Sequence, residues 1–101
     1  MGLMIYKLTV QPVEDIEEVR VLQWHRAEGE AVAVDQLLVE LETSKAIVEI
    51  RSKKACVLRK IETKAGEWSS CGPAIAWFSD GIDEVLTLDS EVELVADYEI
   101  V

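Results

Sequence analysis

Residues 37–51 read LLVELETSKAIVEIR, and this stretch decides the fold. Its first part, residues 37–42, is rich in β-forming side chains. Its last part, residues 46–51, alternates apolar and polar residues as a strand with one buried face does. The residues between them, 43–45, supply a turn. The stretch therefore predicts a β-hairpin with Lys45 at its tip, where the amine points into solvent. Such an amine is suited to a modifying enzyme, although exposed turns often carry charges that have no such role.

The length and composition of the chain predict one small domain. Its 101 residues are 50% hydrophobic, which is enough for a core but not for a large one. No run approaches the roughly 18 apolar residues of a membrane span, and the N-terminus lacks the basic start and apolar stretch of a signal peptide. We therefore expect a cytoplasmic protein with no membrane partner.

Catalysis by the chain itself is not indicated. The two cysteines, Cys56 and Cys71, are too few for a disulfide scaffold and have no partners at metal-ligand spacing. Both are interpreted as reduced packing residues. The single histidine, His25, is interpreted as a residue on the surface of a strand. The sequence predicts neither a catalytic group nor a metal site.

The negative charge is concentrated at the C-terminus. The net charge is −10, and residues 80–101 hold eight of the 20 acidic residues and no lysine or arginine. The first 79 residues, with 12 acids and 10 bases, are nearly neutral. Neither part has the basic surface that nucleic acid requires. A small basic cluster, formed by Arg51, Lys53 and Lys54, is interpreted as a solvated loop, with contact to an acidic partner as the alternative.

The acidic tail, residues 80–101, is separated by its composition from the body, residues 1–79. Like charges repel within the tail and no opposite charge lies in it, which favours a mostly mobile linker. The tail is nevertheless rich in apolar side chains, and residues 90–94 alternate like a strand. A segment that orders against a partner is therefore the alternative.

An internal repeat links the two halves of the body. When residues 19–41 are shifted by 37 positions, Gly29 falls on Gly66 and the apolar positions coincide without a gap. Each of these glycines precedes a glutamate between two apolar runs, where glycine can supply the positive φ of a tight turn. Two units of short strands that cannot bury their faces alone are expected to pack against each other.

The chain is predicted to be all-β. Turns are expected at Gly29, Asp35, Ser44, residues 52–54, Gly66 and the pair Gly72-Pro73. Strands are expected near residues 3–10, 18–25, 30–33, 37–42, 46–51, 55–62, 67–70 and 74–79. Eight short strands that close on themselves leave few exposed edges, as in a small sandwich or flattened barrel.

Residues 3–79 resemble the biotinyl/lipoyl attachment domains, and most closely the lipoyl domains of 2-oxo acid dehydrogenase complexes. The residues that carry the resemblance are Trp24, Glu28-Gly29-Glu30, Val32, Asp35, Leu37, the run from Glu40 to Ala46, Glu49-Ile50, Ser52, Gly66, Gly72 and Ile75. Two positions depart from the family's pattern. Val34 stands where a glycine usually precedes the aspartate, and Cys56 lies where the second hairpin usually has glycine.

The resemblance implies a flattened barrel of two four-stranded sheets with a quasi-twofold axis, in which residues 1–79 form the carrier domain. It also implies that Lys45 is the modified lysine, and that Glu42, Thr43, Ser44 and Ala46 form the turn that a ligase recognises. Biotin acceptors usually have methionine on both sides of the lysine, whereas this chain has Ser44 and Ala46. Lipoyl acceptors usually have aspartate before the lysine, and serine is a familiar variant there.

The implied function is that of a swinging-arm carrier with lipoate on Lys45. A lipoate ligase or lipoyltransferase would acylate the amine. The arm would then move acyl groups and reducing equivalents among the 2-oxo acid dehydrogenase, acyltransferase and dihydrolipoyl dehydrogenase components of a complex. Two alternatives remain open from the sequence. They are a biotin carrier that uses the same lysine to shuttle carboxyl groups, and an unmodified domain that serves as a structural or binding module.

Overall fold

The computed structural model describes residues 4–10, 16–81 and 91–101. These residues form ten β-strands, so the all-β prediction is confirmed. No helix in the described ranges is long and apolar enough to cross a membrane. The strands are β1 (Ile5–Thr9), β2 (Glu18–Trp24), β3 (Ala31–Val32), β4 (Leu37–Glu42), β5 (Ile47–Ser52), β6 (Cys56–Ile61), β7 (Trp68–Ser70), β8 (Ala74–Ser79), β9 (Glu91–Glu93) and β10 (Ala96–Ile100).

The strands form two sheets that pack face to face. One sheet has the order β3-β6-β8-β1-β9, and the other has the order β10-β5-β4-β2-β7. The first eight strands lie within two residues of their predicted positions and give four to each sheet, which confirms the predicted flattened sandwich. Each sheet also contains a fifth strand that the prediction lacked. These two additional strands, β9 and β10, come from the acidic tail.

The quasi-twofold relation predicted from the repeat is present in the backbone. Gly29 and Gly66 have φ of 90° and 89°, which is the left-handed region that glycine adopts without steric cost. The amide of Gly29 donates to Leu58 O, and the amide of Gly66 donates to Val21 O, each over 2.7 Å. Val21 and Leu58 are also 37 positions apart, so the repeat relates the two acceptors as it relates the two glycines. Each glycine bonds to the acceptor that lies in the other repeat unit. Each half therefore closes a turn of the other half.

The core lies between the two sheets and is built from both. The side chains of Leu8, Leu58, Ile75 and Phe78 come from one sheet, and all four are fully buried. The facing sheet contributes Val19, Val21, Leu38, Val39, Leu41 and Ile50, which are also fully buried. Buried and more exposed residues alternate along β2 and β6, as expected when one face of a sheet is covered and the other is solvated, whereas β1, β4 and β8 contain consecutive buried residues.

The β4–β5 hairpin has the predicted register. Val39 lies opposite Ile50, and Leu41 lies opposite Val48, on the face that meets the other sheet. A shift in register between Leu37 and Val39 places Leu38 in the core as well. A β-bulge of this kind allows two consecutive residues to point inward. Strict alternation could not have predicted that Leu38 is buried.

The preference for a mobile tail is wrong for residues 91–101. Strand β9 runs parallel to β1, and β10 runs antiparallel to β5 over five residue pairs. Between them, Leu94 is buried in the core. The alternating pattern of residues 90–94 did indicate a strand. Residues 82–90 lie outside the described ranges, and the division of the chain at residue 79 stays a prediction.

The acidic residues of β10 are compensated by the basic cluster that was interpreted as a solvated loop. Glu99 Oε2 lies 3.9 Å from Arg51 Nε, and Asp97 Oδ2 lies 3.1 Å from Lys53 Nζ. Hydrogen bonds to Asp35 and Asp97 raise the pKa of the Lys53 ammonium above its ordinary value. The acidic partner of the cluster is thus the chain's own tail. Repulsion among the tail residues did not predict their structure, because the compensating basic residues lie 44 and 48 positions earlier in the sequence.

Replacement of Leu41 by alanine tests the hairpin register. Leu41 is fully buried, so its replacement leaves a cavity in the core. We expect the free energy of unfolding, measured by denaturant titration, to be about 2–5 kcal/mol lower in the variant. Val34→Ala is the control, since Val34 is mostly exposed and should change stability by less than about 0.5 kcal/mol. Equal midpoints for the two variants would contradict the register.

Deletion of residues 91–101 tests whether the tail belongs to the fold. The truncated chain should lose about 2 kcal/mol or more of unfolding free energy, because burial of a leucine such as Leu94 alone contributes about that much. The double variant Asp97→Asn, Glu99→Gln keeps both strands and removes only exposed ion pairs, so it should cost about 1 kcal/mol or less. A truncated chain as stable as the full chain would refute the role of β9 and β10.

Candidate functional site

The turn between β4 and β5 holds Lys45 at the end of the second sheet. The last residue pair of the hairpin is Glu42 with Ile47, and residues 43–46 connect the two strands beyond it. Lys45 and Ser44 are exposed, whereas Thr43 and Ala46 are half-buried. The predicted turn at this position is confirmed. The role of Lys45 as the modified residue stays a prediction.

Thr43 fixes the conformation of the turn. Its Oγ1 accepts hydrogen bonds from the amides of Lys45 and Ala46, at 3.1 and 2.9 Å. The same hydroxyl and the Thr43 amide both donate to Ala46 O, over 2.9 and 2.8 Å. A threonine side chain can satisfy turn amides in this way without a glycine. The backbone that carries Lys45 is therefore held by four hydrogen bonds from a single residue.

The predicted recognition residues separate into two groups. Thr43, Ser44 and Ala46 surround Lys45 in the turn. Glu42 lies at the end of β4, and its Oε1 is 4.0 Å from Nη1 of Arg20 on the neighbouring strand β2. Both of these side chains are partly exposed, so their interaction contributes little to stability. Glu42 is accordingly a surface carboxylate beside the turn, not one of the groups that build it.

Strand β10 supports the hairpin from its other side. Ile100 lies opposite Val48, and the amide of Val101 donates to Ile47 O over 2.9 Å. Strand β5 is therefore flanked by β4 and β10, and the tail reaches the base of the Lys45 turn. The sequence analysis missed this strand, although residues 96–100 alternate in the order Ala-Asp-Tyr-Glu-Ile. That alternation was the available signal.

An apolar groove of about 450 Å³ begins beside Lys45. The mouth is formed by Thr43, Lys45 and Ala46, and the remaining lining comes from Val10, Ile16, Val19, Leu41, Val48, Tyr98 and Ile100. Because this lining combines the inward faces of β5 and β10 with residues from distant parts of the chain, no local sequence pattern predicts it. The groove is the second feature of the site that sequence analysis missed.

The two departures from the family's pattern leave the backbone intact. The turn that contains Val34 is made with Asp35, which takes φ of 70° and donates its amide to Ser52 O over 2.7 Å. Aspartate tolerates this left-handed region better than most residues. Cys56 begins β6 opposite Val32 and is buried. Neither turn therefore requires the missing glycine.

Other reactive side chains are engaged in structural contacts. His25 was expected on a strand but lies in the bend that follows β2, where its Nε2 is 2.6 Å from Glu40 Oε1 in a partly exposed pair. Both cysteines are free thiols, and burial raises the pKa of Cys56 and of Cys71 above the ordinary value. A raised thiol pKa lowers the thiolate fraction and hence the reactivity. These thiols are suited to packing, as the sequence indicated.

The sequence model of the Biotin_lipoyl family, described as "Biotin-requiring enzyme", matches residues 10–78, which is more than half of the chain. The chain belongs to the Biotin_lipoyl family. The resemblance inferred from residues 3–79 is thereby confirmed.

Relatives of the chain include three dihydrolipoyllysine-residue succinyltransferase components of the 2-oxoglutarate dehydrogenase complex. The protein from Cupriavidus necator is 39% identical over 54 residues, which are 54% of this chain and 13% of that relative. The protein from Bartonella vinsonii is 46% identical over 54 residues, with the same two shares. The protein from Bacillus subtilis is 32% identical over 71 residues, 70% of this chain and 17% of that relative. The chain thus spans less than a fifth of each.

Replacement of Thr43 by valine tests the turn. Valine has nearly the same shape but cannot accept from the two amides, so the unfolding free energy should fall by about 1 kcal/mol. Exchange of the Lys45 and Ala46 amides with solvent should become faster, as measured by NMR. Thr43→Ser keeps the hydroxyl and is the matched control. Equal exchange rates in the two variants would show that the hydroxyl does not organise the turn.

Proposed function

We propose that the chain is a carrier domain that is lipoylated on Lys45 and serves a complex of the 2-oxo acid dehydrogenase type. The supporting observation is the exposed lysine in a turn that Thr43 fixes, in a member of the Biotin_lipoyl family. The names of the relatives, which are dihydrolipoyllysine-residue acyltransferase components, favour lipoate over biotin. The residues Ser44 and Ala46 agree with this preference, because neither is the methionine usual in biotin acceptors.

The structure is suited to modification of this particular amine. An enzyme that acylates Lys45 must reach the nitrogen without unfolding the hairpin, and exposure of the side chain at the turn allows this. Attack on an activated acyl group forms an amide and releases a proton and the activating group. The pairing of β5 with both β4 and β10 keeps the backbone in place during the reaction. Orientation of one amine by a rigid turn favours selective modification.

When bound, the lipoyl group would supply a dithiolane that carries an acyl group and two electrons. The chain itself would contribute presentation. A rigid hairpin at one end of the sandwich keeps the attachment point clear of the sheets, and the tether raises the local concentration of the acyl group at each partner site. None of these steps assigns a catalytic group to the chain.

The proposed partners follow from this role. They are a lipoate ligase or lipoyltransferase, and the dehydrogenase, acyltransferase and dihydrolipoyl dehydrogenase components of the complex, in the cytoplasm. The relatives that carry the matching segment are named as components of the 2-oxoglutarate dehydrogenase complex. The matching segment is a small part of those proteins. The proposal therefore includes an acyltransferase unit, either elsewhere in a longer chain or in another subunit.

The second candidate function is that of a biotin carboxyl carrier. The observation in its favour is the family description itself, which names biotin-requiring enzymes. The same exposed lysine would then hold biotin and shuttle carboxyl groups. An unmodified binding module is the third candidate, and it differs from the other two in leaving the amine of Lys45 unacylated.

Intact mass spectrometry after co-expression with a lipoate ligase or with a biotin ligase separates these candidates. We expect the mass of one lipoyl group to be added and no biotin. Lys45→Arg should abolish the addition because arginine keeps the positive charge but lacks the acylated amine. Lys64→Arg, at an exposed lysine in a different turn, is the matched control and should leave the addition unchanged.

Each contrary result has a distinct meaning. Biotin addition to the unchanged chain would support the carboxyl carrier. No addition by either ligase would support the unmodified module. Lipoyl addition that persists in Lys45→Arg would refute Lys45 as the attachment site.

A further inference from the structure

The apolar groove beside Lys45 has a defined direction. From the turn, Val48 and Ile50 point to the inner side of β5, because alternate residues of a strand share a face. Ile100 lies opposite Val48, and Tyr98 lies opposite Ile50. Cross-strand partners in an antiparallel pair point to the same side. The inner face of the sheet therefore continues past β5 onto β10, and the groove follows it away from Lys45.

Tyr98 lines the groove beyond Ile100, farther along β10 from the Lys45 turn. Its hydroxyl donates to Thr9 O over 2.7 Å, and Thr9 ends β1 in the opposite sheet. The ring thus crosses between the sheets, and burial of the hydroxyl raises the pKa of Tyr98 above its ordinary value. With its hydroxyl bonded, Tyr98 presents mainly an aromatic surface to the groove. Tyr98 therefore contributes an apolar wall to the groove.

The side of the groove is left uncovered by the described residues. Ile100 is 76% exposed, although it lies on the inner face of the sheet. The core residues Val19 and Leu41 lie under the groove and are fully buried. Thr43, at the mouth, uses its hydroxyl within the turn. Lys45 is the charged residue of the lining, and acylation of its amine would remove that charge.

We propose that this groove binds the acyl arm that Lys45 itself carries, so that the arm alternates between a docked and an extended position. The inference rests on the proposed lipoylation of Lys45. Three observations point to this occupant: the attachment residue lines the mouth, the lining beyond it is apolar, and the volume of about 450 Å³ lies within the range of pockets that hold small ligands. A tethered ligand is also present at high effective concentration, so weak apolar contacts suffice to hold it.

Docking would shield the dithiolane from solvent while leaving it available to a partner. The arm is held by apolar contact alone, and such contact is non-directional and reversible. A partner site that contacts the sulfurs more strongly would therefore withdraw the arm. The outer face of β5 and β10 carries a cavity of different character, lined mainly by the charged side chains of Arg51, Lys53, Asp97 and Glu99.

The test compares two variants of the lipoylated domain. Ile100→Gln places a polar group in the groove at an exposed position, so the fold should persist, as checked by the thermal midpoint. Ile47→Gln is the matched control, because Ile47 is a partly exposed isoleucine of the adjacent strand that faces the opposite side. Mass spectrometry first establishes that each chain carries one lipoyl group.

The readout is the rate at which a small phosphine reduces the dithiolane, relative to free lipoamide. If the arm is docked for about nine tenths of the time, reduction in the unchanged domain and in Ile47→Gln should be about tenfold slower than in lipoamide. Ile100→Gln should restore most of that rate. NMR should also show that lipoylation shifts the amides of Val48 and Ile100 in the unchanged domain.

The contrary outcomes separate the two proposals. A lipoylated domain that is reduced as fast as lipoamide, or whose Val48 and Ile100 amides do not shift, overturns docking and leaves the carrier function in place. Equal rates in the two variants overturn the groove as the docking site. A chain that takes up no lipoyl group overturns the proposed lipoyl carrier function and the docking together.

Discussion

The antiparallel pairing of β4 with β5 is the constraint on which the candidate site depends. The pairing places Val39 opposite Ile50 and thereby sets the inner face of the second sheet. Once these side chains are buried against the other sheet, a slip of one residue would turn the whole apolar face toward solvent. The register of the core therefore also determines where the chain must turn, and the turn determines where Lys45 stands.

Duplication of one unit explains why so small a chain can hold this hairpin rigidly. Each half supplies the carbonyl that closes the glycine turn of the other, at Gly29 and at Gly66. The two halves are thus joined by backbone hydrogen bonds as well as by the apolar core. Backbone bonds between distant segments restrict sliding of the sheets, which apolar contact alone would permit.

Much of the fold was accessible from the sequence because its determinants are local. Alternation of residues located eight strands, and the turn chemistry of Gly29, Gly66 and residues 43–45 separated them. The pairing of β10 with β5 was not accessible, because the charges that compensate Asp97 and Glu99 lie in a different part of the chain. The groove beside Lys45 was not predicted either, because the residues that line it are far apart in sequence and come together only in the folded chain. The buried position of Leu38 depends on a bulge that alternation does not reveal.

The short crossing between β9 and β10 connects the two sheets through neighbouring residues. The amide of Leu94 donates to Lys7 O in one sheet, and Val95 O accepts from the amide of Lys53 at the end of the other, each over 2.8 Å. Separation of the sheets would therefore break at least one of these two hydrogen bonds and expose Leu94. Opening at this edge is therefore coupled to exposure of part of the core. Because β10 leaves this crossing to pair with β5, the same two residues also tie the attachment hairpin to the opposite sheet.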